Sequence, residues 1–229
     1  MAILEARDVS KRYDVRGIET WALRGVSLAV EPGEFTVLAG PSGSGKTTLL
    51  NLFGALDAPS SGAIAIDGAE LASLSRAELA ALRLAKLGFV FQAFNLIPVF
   101  SARENVEFVM ELQGIPPAER RERALAMLAE VGLEGLGDKR PLEMSGGQQQ
   151  RVAVARAIVS RPSVVLADEP TANLDSQTAA KLIETMERLN HERGVTFVFS
   201  THDPQVITRA HRVVRLRDGQ IVADERGAA

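Results

Sequence analysis

Residues Gly40-Pro41-Ser42-Gly43-Ser44-Gly45-Lys46-Thr47 bring glycines, a lysine and a threonine hydroxyl together in one short segment. Glycines let the backbone curl until several N–H groups converge on a single anion. Lys46 adds a mobile cation for the β- and γ-phosphates of a nucleotide, and the Thr47 hydroxyl suits Mg²⁺. A helix beginning near Thr47 would turn its positive end toward the same charge. The spacing Gly-x-x-x-x-Gly-Lys-Thr between a strand and a helix is that of a phosphate-binding loop. A merely flexible linker would not need the apolar run Phe35–Ala39 before it or Leu49–Phe53 after it.

Further reactive residues follow apolar runs. Asp168-Glu169 closes Val164–Ala167, and His202 follows Val195–Phe199. Beside a phosphate loop, Asp168 suits the metal and Glu169 suits activation of water. Gln92 ends a fourth run, Gly88–Phe91. His191 and His211 sit among charged residues and read as surface. Ser145-Gly146-Gly147-Gln148 is a capping box opening the apolar helix Val152–Val159. Its glycine pair disfavours helix and would suit either a plain helix start or an exposed anion-binding N-terminus. The guanine-reading pattern Asn-Lys-x-Asp is absent, and Tyr13 in Lys11-Arg12-Tyr13 either stacks on adenine or packs on a sheet.

These residues need a common edge. The four runs are apolar on consecutive positions, as in parallel strands covered on both faces, and such sheets bind ligands at the carboxyl ends of their strands. Helices between them are marked by capping boxes at Ser75–Glu78 and Ser101–Glu104. Pro117 opens another, with Ala124, Leu125, Leu128 and Val131 on one face and Gly132 as its stop. Ala179, Leu182, Ile183, Met186 and Leu189 mark a further amphipathic helix. The class is α/β with a parallel-sheet core. Ile3–Val9, Trp21–Val30 and Ala63–Ile66 would form a small antiparallel layer, and Ala93 to Val152 would be almost purely helical, inserted between two core strands. The terminus Asp224–Ala229 is expected to fray.

At 229 residues the chain can bury a full core, and 46% hydrophobic with 24% charged residues excludes wholesale disorder. A net charge of −3 offers no general basic field for nucleic acid, and the absence of cysteine excludes disulfides and thiolate sites. The N-terminus meets charge at Glu5, unlike a signal peptide, and the charge-free stretch Leu87–Ala102 is too short and too polar for a membrane span. Membrane attachment is therefore expected only through a protein partner, with Phe94, Leu96 and Phe100 as candidate contacts.

Met144-Ser145-Gly146-Gly147-Gln148 ahead of Val164–Pro170, together with Gln92 and His202, resembles the ATP-binding subunits of ABC transporters. Gly88–Pro98, Glu104–Val106 and Pro170–Asp175 are similar to the lipoprotein-release, macrolide-export and cell-division branch (LolD, MacB and FtsE). The family's usual leucine is Met144 here, a swap of similar volume. The resemblance implies a P-loop NTPase (RecA-like) core with an N-terminal antiparallel β layer and an inserted helical subdomain. It divides one ATP-binding domain into 1–92 with 158–229 as β layer and core, and 93–157 as the helical signature part. It implies the cofactors ATP and Mg²⁺, with Tyr13 on adenine and Gly40, Pro41, Ser42, Gly43, Ser44, Gly45, Lys46, Thr47 and Thr48 around phosphates and metal. Gln92 and Asp168 would join Thr47 at Mg²⁺, Glu169 would polarise water, and His202 would hold the γ-phosphate. Ser145, Gly146, Gly147 and Gln148 would grip the γ-phosphate of a second copy, with Asn173–Asp175 at the dimer interface. It further implies a homodimer closed by ATP and docked on a separate transmembrane permease of the FtsX/LolC type, peripheral on the cytoplasmic face of the inner membrane. The transported cargo would be a lipoprotein, lipid, peptide or drug. A division-type complex that signals without transport remains the alternative. An ABC ATPase working on DNA or ribosomes fits less well, since such chains usually carry coiled coils, zinc modules or fused cassettes.

Overall fold

Two sheets share the chain between them. The computed structural model describes residues 1–15 and 17–227. Its first half runs β1 (Leu4–Val15), β2 (Ile18–Val30), β3 (Phe35–Ala39), α1 (Lys46–Phe53), β4 (Ser61–Ile66), β5 (Ala69–Glu70), α2 (Arg76–Lys86) and β6 (Leu87–Val90). Then come α3 (Ala102–Leu112), α4 (Pro117–Glu130) and α5 (Gly146–Val159). The chain closes with β7 (Val164–Asp168), α6 (Ser176–Arg193), β8 (Thr196–Thr201), α7 (Pro204–Ile207), β9 (Arg212–Arg217) and β10 (Gln220–Arg226). One sheet has the order β2-β1-β4-β5 and is antiparallel throughout. The other has the order β10-β9-β3-β8-β7-β6, parallel except for β10.

Pleating explains the consecutive apolar runs. Alternate residues of a strand face opposite sides, so Phe35, Val37, Phe197 and Phe199 enter one core with α3 to α6. Leu38, Val198, Leu166 and Val214 enter a second core with α1 and the antiparallel sheet. A strand buried on both faces has no polar positions to alternate with. Phe35 packs edge-on against both Phe197 and Phe199, at 5.6 and 4.9 Å between ring centroids.

The structure corrects several expectations. The β1–β2 hairpin is longer than its apolar stretches, because its outer half is solvent-facing and register shifts near Val9 and Lys11 break the alternation. The strand expected over Gly88–Phe91 lies one residue earlier, ending where its pairing with β7 ends at Val90. Ala93 to Val152 is not almost purely helical. Phe94 and Asn95 have positive φ of 59° and 49°, and no helix begins until Ala102. On α4 the inward face is Ala124, Met127 and Leu128, while Leu125 is 43% exposed, one position off that stripe. Asp224–Arg226 does not fray: it belongs to β10, tied by Asp224 to Arg212 of β9. Ala228 and Ala229 lie outside the described residues. Both β9 and β10 escape hydrophobic patterning because Arg212, Arg215 and Arg217 interrupt β9.

Candidate functional site

Parallel pairing of β3, β8 and β7 delivers Gly40, His202 and Asp168-Glu169 to one sheet edge. Two loop glycines are demanded by close approach. A Cβ on Gly40 (φ 154°) would lie 2.2 Å from the Leu216 carbonyl oxygen, and one on Gly45 (φ 103°) would lie 2.5 Å from that of Ala22. Gly45 is the N-cap of α1 and no side chain caps that helix. Lys46 is 6% exposed and its Nζ donates to the carbonyls of Gly40 and Pro41 at 2.8 and 3.1 Å. The buried Ser44 hydroxyl has no partner and would sit 2.8 Å from a Cβ on Gly40, so it faces the inside of the loop. Converging donors and an unpartnered hydroxyl fit a phosphate.

Asp168 Oδ1 accepts from Thr47 Oγ1 at 3.0 Å and from Ser200 Oγ at 2.6 Å. Ser200 Oγ in turn accepts the Glu169 N–H at 2.9 Å. Glu169 has a φ of 44°, a left-handed conformation that a non-glycine residue holds only under constraint. Its Oε1 lies 3.0 Å from His202 Nδ1, with the carboxylate 16% exposed and the imidazole 69% exposed. Carboxylate, hydroxyl and amide oxygens from Asp168, Thr47 and Gln92 are the hard donors Mg²⁺ prefers, and this ion is usually held by one or two carboxylates plus phosphates. No cluster of three His, Cys, Asp or Glu that could hold a metal ion occurs among the described residues.

A cleft of about 690 Å³ is walled by Pro41, Ser42, Gly43, Gly45, Lys46, Thr47, Thr48, Gln92, Glu169 and His202. Gly40, Ser44 and Asp168 are not part of that lining, though Asp168 accepts from the lining residue Thr47. Thr20, Trp21, Ala22 and Ala172 also line the cleft. Sequence reasoning missed all four, and Trp21 registered only as the start of a strand.

Tyr13 does not line the cleft. Its hydroxyl donates to Asp57 Oδ2 at 2.9 Å, and Lys11 Nζ sits 4.9 Å above its ring while donating to Asp57 Oδ1 at 2.7 Å. Burial and the neighbouring Asp57 carboxylate raise the Tyr13 phenol. Burial pushes Asp57 upward, but hydrogen bonds from Lys11, Tyr13 and Ala58 outweigh it and hold the carboxyl below its usual range.

Ser145–Gln148 lies outside the cleft too. Ser145 Oγ accepts the Gln148 N–H at 3.3 Å and Gln148 Oε1 accepts the Ser145 N–H at 3.0 Å, completing the capping box. Gly147 is explained by packing, since a Cβ there would lie 2.4 Å from Thr178 Cγ2 on α6, whereas Gly146 has only ordinary contacts. Asn173 Nδ2 donates to the Gln92 carbonyl at 2.9 Å, and Asp175 caps α6. Arg156 of α5 donates to the carbonyls of Asn95 and Phe94 at 2.6 and 2.9 Å, bracing the segment after Gln92. Burial lowers its guanidinium.

The family described as ABC transporter matches residues 23–172. A macrolide export ATP-binding/permease protein MacB of Syntrophobacter fumaroxidans is 48% identical over 100% of this chain and 32% of its own length. A pyoverdine export ATP-binding/permease protein PvdT of Pseudomonas entomophila is 45% identical over 97% of this chain and 34% of its own. The chain thus spans about a third of those relatives. An ABC transporter ATP-binding protein of Thermotoga maritima is 46% identical over 98% of this chain and 95% of its own. Among solved structures, the dimeric cassette MJ0796 in a post-hydrolysis state bound to ADP and Pi is 41% identical, with a TM-score of 0.91 over 99% of both chains.

Proposed function

This chain belongs to the ABC transporter family, and on that premise we propose that it is the ATP-hydrolysing engine of a membrane export system, working as a homodimer on a separate permease. The observation that carries the chemistry is the convergence of Lys46, Thr47, Glu169 and His202 on one cleft, with Asp168 hydrogen-bonded to Thr47. Lys46 and the backbone N–H groups of Gly40–Thr48, other than Pro41, which has none, bind the triphosphate. Thr47, Asp168 and Gln92 would hold Mg²⁺, which when bound neutralises charge developing on the β- and γ-phosphate oxygens. Glu169, aimed by Ser200 and His202, orients a water and receives its proton. The water oxygen forms a bond to the γ-phosphorus, the bridging bond to the β-phosphate breaks in line, and ADP leaves with phosphate. His202 would steady both Glu169 and the γ-phosphate, and Tyr13, outside the cleft lining, would reach the adenine only where the base extends beyond that lining.

The division into 1–92 with 158–229 and an inserted arm at 93–157 would let ATP rotate the α5 N-terminus onto a second copy. No helix among the described residues is long and apolar enough to cross a membrane. Docking would place the chain on the cytoplasmic face of the inner membrane. Of the expected contacts, Phe94, Leu96 and Phe100 are only half-exposed. A groove of about 250 Å³ lined by Phe89, Phe91, Phe108 and Leu112 is the better seat for a permease segment.

Phosphate release tests the assignment. Glu169→Gln keeps size and hydrogen bonding but loses the base, so turnover should fall by ~10²–10⁴ while ATP affinity by calorimetry is retained. Lys46→Ala should instead lose affinity. Parent-rate hydrolysis by the Glu169→Gln chain would overturn the assignment.

A further inference from the structure

The segment that carries Gln92 belongs to no helix or strand, and two side chains pin its backbone. β6 ends at Val90, Gln92 lines the cleft, and no helix begins before Ala102. Phe94 and Asn95 both lie in the left-handed region, at φ 59° and 49°, a conformation that residues other than glycine hold only under constraint. The constraint comes from α5. Arg156 donates to the Asn95 carbonyl at 2.6 Å and to the Phe94 carbonyl at 2.9 Å, through different terminal nitrogens of one planar fork. Among the described residues no carboxylate pairs with this half-buried guanidinium, and burial alone moves it, downward. A charge drawn out of water needs compensation. The two carbonyls supply it, and the cation fixes their turn in return. From the other side, Asn173 Nδ2 donates to the Gln92 carbonyl at 2.9 Å. The first turn of α5 closes on the same place: a Cβ on Gly146 would meet the Phe94 ring at 3.6 Å and the Asn173 carbonyl at 3.8 Å.

We propose that Arg156 is a positioning residue for Gln92: by gripping the carbonyls two and three residues beyond it, Arg156 keeps the Gln92 amide available to the Mg²⁺ of the bound nucleotide. This rests on the metal role given to Gln92 above and extends it to the residue that secures it. Arg156 itself does not line the cleft and acts only through the turn it holds.

The test titrates the full chain by calorimetry with the non-hydrolysable analogue adenylyl imidodiphosphate, once with Mg²⁺ and once with EDTA. The ratio of the two affinities isolates what the metal adds. Gln92→Ala should lower that ratio by about three- to tenfold, the scale of one lost polar contact. Arg156→Ala should lower it comparably. Affinity in EDTA should not move in either variant, because the phosphate loop is untouched. Arg156→Lys keeps the charge but not the fork and should recover part of the loss. In a Gln92→Ala background, Arg156→Ala should lower the ratio no further, since a residue acting through Gln92 has nothing left to act on. Should thermal unfolding show that Arg156→Ala does not fold, Arg156→Lys carries the comparison and must lower the ratio only when Gln92 is present. An unchanged ratio, or a loss that adds to that of Gln92→Ala, would overturn the proposal while the metal role of Gln92 stands. If Gln92→Ala itself leaves the ratio unchanged, that role falls and the proposal falls with it.

Discussion

Ser200 aims both carboxylates of the cleft. Its hydroxyl donates to Asp168 at 2.6 Å and accepts the Glu169 N–H at 2.9 Å, from a position with no solvent exposure. The left-handed Glu169 costs of order 1–3 kcal/mol unless its surroundings fix it. Ser200→Ala would leave the Glu169 N–H without its acceptor and Asp168 Oδ1 with Thr47 as its one remaining donor, costing about 1–3 kcal/mol. The expected outcome is a lower Tm with an ATPase loss smaller than that of Glu169→Gln, checked by thermal unfolding and phosphate release side by side. Asp168, Glu169 and Lys46 were legible in the sequence because their types are rare after buried strands and their spacing is constrained. Ser200 was not, since a serine at a strand end has no distinguishing period. Trp21 was hidden for a related reason: a cavity wall is made by tertiary approach, here of β2 to the phosphate loop, and leaves no mark in local spacing.

At the scale of elements, β10 shows how an edge strand is secured. Arg212 is nearly buried and reaches Asp224, Glu34 and the Ala29 carbonyl, joining β9 to β10 and to the antiparallel sheet. Hydrogen bonding to Arg212 lowers the Asp224 carboxyl below its ordinary value, against burial, which raises it. A carboxyl depressed in the folded state contributes stability above its unfolded pKa, about 4, and loses it as pH falls through the folded value. Asp224→Asn should therefore lower Tm at neutral pH, with the gap to the parent closing as pH drops below about 4. Melting curves across pH 2–8 check this, and a gap that is constant with pH would exclude the ion pair as its cause. Helices were legible where caps and stripes agree, as at Ser75, Ser101 and Pro117. The β9–β10 pair was not, because Arg212, Arg215 and Arg217 break the apolar run, and the partners that let Arg212 be buried, Asp224, Glu34 and Ala29, leave no mark in local spacing.

For the whole molecule, the proposed shared site would leave the cleft incomplete within one chain. The capped N-terminus of α5 at Ser145 is exposed and does not line it. A second copy bringing Ser145–Gln148 onto the γ-phosphate would complete the shell, with each nucleotide neutralising charge on two faces. ADP lacks that phosphate and would release the pair. Sequence patterning held the fold class and the edge where the loops meet, but it carries no information about which copy supplies which residue. The most direct test is sedimentation velocity of the Glu169→Gln chain, which should bind without turnover, at saturating MgATP and at saturating MgADP. The shared site predicts a dimer with ATP and a monomer with ADP; a monomer that persists at saturating ATP would contradict it.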